Sequence, residues 1–374
     1  MNTIRDINPQ TNSLTIEAGA TLLQAQEAAL SENRIFPLKL ASEGSCTIGG
    51  ILSTNAGGGH TVKYGTAKEL VFGVEAVLAS GEIWNGLTSL RKDNTGYDLN
   101  RLFLGAEGTL GIITAASLKL FPKPNYTQRV IVGLDNTEDA IKLLEECRIG
   151  NSLALFEVMP EIGYRAVIDN FPIIDPFKQA HPWYAVIDWE VDSTEIGLNI
   201  AESCLNKALE KGLINDALIA QNEAQAAAIL SIREHMSAGQ KHLGGSIKHD
   251  VSVPISKIPE FLTHADKAIK EAIKGCRPVG FGHFGDGNIH YNIAQPIGAD
   301  KDEFLSNWEL ASKIVHDIAI NMGGSFSAEH GIGIMKRGEL ERRADPVKLN
   351  MMRAIKTALD PDNLFNPRVM IKRQ

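Results

Sequence analysis

The chain has 374 residues, 44% of them hydrophobic and 22% charged, and a formal net charge of −8. That length supports two or three domains with sizeable cores, and the composition is that of an ordinary globular protein. No block of Lys and Arg points to nucleic acid, no apolar run reaches the roughly eighteen residues of a membrane-spanning helix, and the N-terminus lacks the apolar centre of a signal peptide.

In chain order, residues 13–18 read as a strand and residues 21–30 as a helix behind a capping Thr21. Residues 43–59 carry five glycines between Gly49 and Gly59, a pattern for backbone that approaches something closely or takes positive φ. Residues 70–78 and 111–120 predict strands, the first followed by a Ser80-Gly81 turn. Phe121-Pro-Lys-Pro124 reads as a domain boundary. Beyond it, strands at 128–134, 153–158 and 184–191 are interleaved with amphipathic helices at 137–147, 222–236, 258–274 and 302–322. That spacing predicts an α+β layer with one sheet covered on one side by helices. A last helix, 345–359, ends at Asp360-Pro-Asp-Asn363. Cys46, Cys147, Cys204 and Cys276 form no C-x-x-C pair and read as buried thiols of a reducing compartment.

The most informative stretch is Gly280-Phe-Gly-His-Phe-Gly-Asp-Gly-Asn-Ile-His-Tyr-Asn292. Asp286-Gly287 has the chemistry of a two-residue type I′ loop, which predicts His283 opposite His290. His283, His290 and Asn292 then project from one face, and the two imidazoles reach one divalent cation. Downstream, Ser325-Phe-Ser-Ala-Glu-His-Gly-Ile-Gly333 offers Glu329 as an oxygen ligand and His330 as a third imidazole or a free base. Three ligands and an open position describe a catalytic metal site, and the competing reading is a polar turn that binds nothing. The letters Gly280-Phe-Gly-His-Phe-Gly285 also fit a dinucleotide fingerprint, but a turn and strand follow where that motif requires a helix. Arg233 and Ser237 lie four apart on the 222–236 pattern and so share a face, and Lys248 opens a strand. Read alone, Arg233 fits a solvated charged helix face better than a carboxylate clamp.

Taken together, several motifs resemble the FAD-dependent D-2-hydroxyacid dehydrogenase family nearly end to end. Gly44-Ser-Cys-Thr-Ile-Gly-Gly50, Thr54-Asn-Ala-Gly-Gly58, Leu90-Arg-Lys-Asp-Asn-Thr-Gly-Tyr-Asp98 and Gly105-Ala-Glu-Gly-Thr-Leu-Gly-Ile-Ile113 match its flavin half. Gly282-His-Phe-Gly-Asp-Gly-Asn-Ile-His290 and Ala328-Glu-His-Gly-Ile-Gly333 match its catalytic half. The resemblance implies a vanillyl-alcohol oxidase type FAD-binding domain, PCMH-type, over 1–124 and an α+β cap domain over 125–333. The remainder, 334–374, would be a helical segment returning to the flavin domain. Relatives begin with a further FAD subdomain, so the expectation is a partial FAD domain. A shortened remnant unable to hold FAD is then one reading.

By resemblance, FAD contacts fall on Gly49, Gly50, Thr54, Asn55, Ala56, Gly57, Gly58, Glu107, Gly111, Ile113 and Asn366, while Pro367-Arg368 departs from the family's Pro-Gly-Lys. His283, His290 and Glu329 would hold a divalent metal, zinc first, with manganese, cobalt and iron as alternatives. His330 would be the base, and Arg233, Ser237, Lys248 and Asn292 would bind substrate, with Ser237 where relatives often show threonine. The implied reaction is oxidation of a D-2-hydroxyacid, most like D-2-hydroxyglutarate, to the 2-oxoacid; D-lactate and glycolate are the alternatives. Implied partners are an electron-transfer flavoprotein or a quinone-linked carrier, and the resemblance admits a homodimer. The expected place is cytoplasmic, including the periphery of the inner membrane.

Overall fold

The computed structural model describes residues 1–372, and its contacts divide the chain into two compact units. The first comprises residues 1–60, 64–123 and the chain from Glu329 onward; the second comprises residues 61–63 and 124–328. Residues 329–333, expected with the cap, therefore belong to the first unit.

In the first unit, strands β1 (Ile4–Asn8), β2 (Ser13–Glu17), β4 (Val71–Val77), β5 (Ile83–Asn85) and β6 (Ile112–Lys119) form an antiparallel sheet in the order β1-β2-β6-β4-β5. Short strands β3 (Arg34–Ile35) and β7 (Phe121–Pro122) pair separately. Alternation along β2 and β6 buries Leu14, Ile16, Ala116 and Leu118 against Leu22, Ala25 and Ala29 of the helix Leu22–Ser31. Thr21 starts that helix with a reciprocal capping box to Gln24.

The second unit holds a seven-stranded antiparallel sheet. Its strands are β8 (Tyr126–Leu134), β9 (Leu153–Pro160), β10 (Trp183–Val191), β11 (Asp216–Ile219), β12 (Ser246–Ser252), β13 (Arg277–His283) and β14 (Asn288–Ala294). The order is β11-β8-β10-β9-β13-β14-β12. Two apolar clusters cover it. One joins the helices Thr137–Cys147, Thr194–Glu210, Ile258–Ala272 and Trp308–Asn321; the other joins Glu161–Ile168 and Glu223–Glu234. Strands β9 and β10, buried along nearly their whole length, read as continuous apolar runs because both faces are covered. The expected single covered face is thus corrected to two. The expected helix 302–322 is also divided, into Lys301–Leu305 and Trp308–Asn321. Ser306 and Asn307 side chains donate back to the carbonyls of Glu303 and Phe304 and interrupt it. Three of the four cysteines are buried as expected, and two of them meet: Cys147 and Cys204 lie with sulfurs 3.2 Å apart.

One buried pair ties the C-terminal helix Pro346–Leu359 into the first unit. Lys356 Nζ donates to the Thr109 carbonyl at 2.7 Å, the Phe365 carbonyl at 2.7 Å and Asp360 Oδ2 at 2.5 Å. Asp360 also accepts the N–H groups of Leu364 and Phe365. Burial works against its charge, but Lys356 and these N–H groups win and hold the carboxyl below its ordinary value. Its stabilising contribution is present above the unfolded carboxylate value of about 3.9 and is lost as pH falls through the lower folded value. Replacement of Lys356 by Met leaves Asp360 buried without its cation and should cost about 3–5 kcal/mol in urea unfolding at neutral pH. Asp360→Asn should flatten the acid side of the stability curve measured the same way.

Candidate active site

The centre of the second unit's polar face is the carboxylate of Glu157 on β9, 1% exposed. Strand β13 changes partner here: Arg277–Phe281 pair with β14, while Gly282 and His283 pair with Val158 and Glu157 of β9. Gly282 makes the change at φ 148°, and a Cβ there would lie 2.7 Å from the Asn288 carbonyl oxygen. The consequence is a hydrogen bond between His283 Nδ1 and Glu157 Oε1. On the other side, Arg233 Nε donates to Glu157 Oε2 at 2.6 Å, and its guanidinium lies 5.1 Å from the centroid of the Phe281 ring.

Burial alone would raise the Glu157 carboxyl, but the charge of Arg233, then His283 and the hydrogen bonds from both, holds it well below the usual carboxylate range. An ionised Glu157 accepts, so His283 Nδ1 carries the proton and, in the neutral imidazole, Nε2 carries the lone pair. That Nε2 lies 3.4 Å from His290 Nε2, with the rings at 77°. Two imidazoles converging on one point, one buttressed by a carboxylate, are what a histidine-ligated metal requires. The residues therefore fit a divalent cation.

The hairpin differs in register from the sequence expectation. His290 lies opposite Phe281, not His283, and Val279 lies opposite Asn292. The loop has four residues, 284–287, rather than the two of a type I′ turn; the His283 backbone carbonyl accepts the N–H groups of both Asp286 and Gly287. The shift is by two residues, so side-chain parity is unchanged and both histidines keep the same face.

Asp250 on β12 lies opposite His290, with Oδ1 4.0 Å from His290 Nδ1. Asn288 Nδ2 donates to Asp250 Oδ1 at 2.8 Å and so orients it. Neither carboxylate, Glu157 nor Asp250, was among the expected residues. Asp250 was recoverable from its spacing, two residues beyond Lys248 on one strand; Glu157 sits within an apolar run and left no signal. Ala328, the last residue of this unit, donates its N–H to the Asp250 carbonyl at 3.3 Å. Glu329 and His330 are the next two residues in the chain.

The expected substrate residues separate into two groups. The helix carrying Arg233 ends at Glu234, because His235 closes it with N–H bonds back to Ser231 and Arg233. Arg233 and Ser237 thus do not share a continuous helical face. Arg233 is engaged with Glu157, whereas Ser237 and Lys248 line a common cavity. Asn292, 4% exposed, is held by Gln240, which accepts from its Nδ2 at 2.8 Å.

In the first unit, Thr47 caps the short helix Ile48–Thr54, which buries Ile48, Ile51 and Leu52. Gly50 and Thr54, one turn apart, are exposed and leave a surface with no side chain larger than threonine. A flat ligand can approach that wall closely, so the residues fit a flavin. Other expected contacts have structural employment. Asn55 takes φ 52° and accepts from Thr66 Oγ1 and the Lys68 N–H at 2.9 Å each. Ala56 N–H bonds to Ile51 and Gly57 is buried. Gly49, Gly58 and Gly111 pack where a Cβ would strike Ala18, Lys39 and Phe103, and Ile113 is 6% exposed in the core.

Glu107 behaves unlike a surface contact. Its Oε1 accepts the Ile332 N–H at 2.6 Å and its Oε2 the Gly333 N–H at 2.7 Å, while Asn366 Nδ2 donates to its carbonyl at 2.6 Å. Gly331, at φ 73°, leaves no room for a Cβ beside Glu107 Oε1. The carboxylate therefore clamps the loop directly after His330.

The fold is that of the PCMH-type FAD-linked oxidases. Solved structures of p-cresol methylhydroxylase with substrate bound and of alkyldihydroxyacetonephosphate synthase match it with TM-scores of 0.71 and 0.70, each at 18% identity. They cover 100% and 98% of this chain, and 78% and 66% of theirs. The family of FAD linked oxidases, C-terminal domain, matches residues 123–370, and an FAD binding domain matches residues 1–86. D-2-hydroxyglutarate dehydrogenase of Stutzerimonas stutzeri (strain A1501) is 33% identical over 98% of this chain and 79% of its own length. The mitochondrial D-2-hydroxyglutarate dehydrogenases of Rattus norvegicus and Arabidopsis thaliana are 32% and 34% identical, with 68% and 65% of their lengths covered. The chain belongs to the FAD-dependent D-2-hydroxyacid dehydrogenase family. Among the described residues no helix is long and apolar enough to cross a membrane.

Each N–H bond to the Glu107 carboxylate is charge-assisted, worth about 1.5–3 kcal/mol. Glu107→Ala should therefore release the 331–333 loop, read as at least tenfold faster hydrogen exchange at the Ile332 and Gly333 amides. Unchanged exchange would show that the clamp contributes nothing.

Proposed function

We propose that the chain oxidises a D-2-hydroxyacid, D-2-hydroxyglutarate first, to the corresponding 2-oxoacid. The observation that carries this reading is the convergence of His283 and His290 Nε2 atoms under the Glu157 buttress, with cationic Lys248 on the same sheet face. His283, His290 and Glu329 are assigned as ligands of a divalent cation, and Asp250 as a carboxylate that orients His290 or joins them. When bound, the cation supplies positive charge that makes a substrate hydroxyl more acidic, and FAD supplies an acceptor for the C2 hydride. His330 is assigned to take the hydroxyl proton. Glu107 keeps the loop behind that base in one place. The final electron acceptor is assigned as a protein or quinone-linked carrier, so a purified preparation should need an artificial dye.

Substrate length follows from the ladder. Asp250 and Lys248 on β12 face His290 and Asn292 on β14, and residues two apart share a face at about 7 Å separation. A hydroxyacid held at the histidine rung by C1 and C2 can present a second carboxylate to Lys248. Lactate and glycolate have no group to place there. This supports the five-carbon diacid over the monoacids.

Dye reduction by the full chain with FAD added should show a kcat/KM for D-2-hydroxyglutarate at least tenfold above D-lactate and glycolate. Lys248→Ala should lower the diacid value about tenfold to a hundredfold, the range of a charge-assisted contact, with little effect on D-lactate. A preference for the monoacids would overturn the assignment. Exhaustive chelation, checked by metal analysis, should abolish turnover while the flavin absorbance near 450 nm persists. Full activity without metal would remove the cation from the reaction. His330→Ala should lose flavin reduction and keep metal content.

A further inference from the structure

A cavity of about 250 Å³ opens at the outer edge of the sheet, lined by Ser237, Lys241, Ser246, Lys248, Lys301 and Trp308 among others. Three lysines converge on it in a protein whose net charge is −8. Among the described residues, none of the three ammonium groups has a carboxylate within ion-pairing distance. Ser246 Oγ is buried in the same wall and has no hydrogen-bond partner. A buried unpaired hydroxyl is costly unless a polar partner enters, and three lysines on the same cavity favour an anionic one.

Strand β12 aligns this cavity with the histidines. Asp250, Lys248 and Ser246 alternate on one face, opposite His290, Asn292 and Ala294 of β14. The three rungs are spaced about 7 Å apart. Lys248 serves the nearer position assigned above. Ser246 stands one rung further, and Lys241 and Lys301 add charge to the same cavity. Leu305 and Trp308 supply an apolar wall beside these cations, suited to methylenes that lead to a terminal oxyanion.

We infer that Lys241, Lys301 and Ser246 form an outer oxyanion subsite that accepts the far carboxylate of long D-2-hydroxydiacids, of roughly ten to twelve carbons, the length that spans two rungs of about 7 Å. This rests on the reading of the chain as a D-2-hydroxyacid dehydrogenase. It adds a second rung of charge, and so a tolerance for chain length, to the single clamp at Lys248.

The test uses the full chain and a Lys241→Ala/Lys301→Ala double variant; both lysines are exposed. Binding of dodecanedioate, an unreactive twelve-carbon diacid, and of inorganic phosphate is measured by calorimetry. The ratio of kcat/KM for D-2-hydroxydodecanedioate to that for D-2-hydroxyglutarate is measured by dye reduction. The double variant should bind dodecanedioate at least tenfold more weakly, and the kinetic ratio should fall at least fivefold. Ser246→Ala should lower the same ratio without a change of charge. Dodecanedioate binding and a ratio unaltered in the double variant would overturn the subsite. Lysine-dependent binding of phosphate but not of dodecanedioate would overturn it in favour of a free-anion site. Lysine-dependent dodecanedioate binding in a chain that oxidises no hydroxyacid would uphold the subsite and refute the enzymatic reading, so the two failures are told apart.

Discussion

The bond from His283 to Glu157 is the constraint on which the rest of the second unit's polar face depends. A carboxylate at 1% exposure is expensive, and it persists here because two cation-capable groups reach it from separate elements. Its position is imposed by the strand change at Gly282, which brings His283 beside β9 instead of leaving it in the hairpin. Its effect is chemical as well as structural. By accepting at Nδ1 it fixes one tautomer and aims one lone pair at the neighbouring imidazole. Arg233 gains a second duty through the same carboxylate: its Nε is spent on Glu157, so any carboxylate it grips must be met by its terminal nitrogens.

The sheet then acts as a ruler. Rigid antiparallel pairing between β12 and β14 turns sequence spacing into distance, so positions 250, 248 and 246 become successive stations along one face. A site built on strands holds such spacing better than one built on loops. The chain after Ala328 receives a different kind of support. In the first unit Glu107 takes two consecutive N–H groups of that loop, and Asn366 in turn holds the Glu107 backbone. Glu107 itself sits at φ 53°, a conformation that a non-glycine residue keeps only where surroundings over-determine it.

Much of this was legible in the sequence where the cause is local. Thr21 marks a helix start in the structure, and the starts expected at 137, 222 and 345 fall within one residue of those observed, because the signal is a side chain bonding its own first turn. The parity of His283 and His290 was legible for the same reason, since alternation is a property of one strand. Register was not, because Asp-Gly chemistry competes with tertiary pairing: His283 is drawn to β9 and the loop widens to four residues. Glu157 was illegible. It lies 126 residues from His283, in a strand whose other members are apolar because both faces are covered. Lys356 was illegible likewise, since nothing local shows that a helical lysine will be buried among two carbonyls and a carboxylate.

Small residues in the glycine-rich segment have two different physical causes. Gly49 and Gly58 are small because Ala18 and the Lys39 carbonyl press against them, which would require glycine with or without a cofactor. Gly50 and Thr54 are different. Their helix face is exposed, no neighbour except Thr47 Oγ1 crowds a Cβ at Gly50, and the Thr54 hydroxyl is turned back onto the Gly50 carbonyl. Small size there is not explained by packing within the unit, and it leaves this helix face open to close approach by a ligand. Of the eleven residues expected at the flavin, these two leave that opening; the others are compatible with a flavin without requiring one.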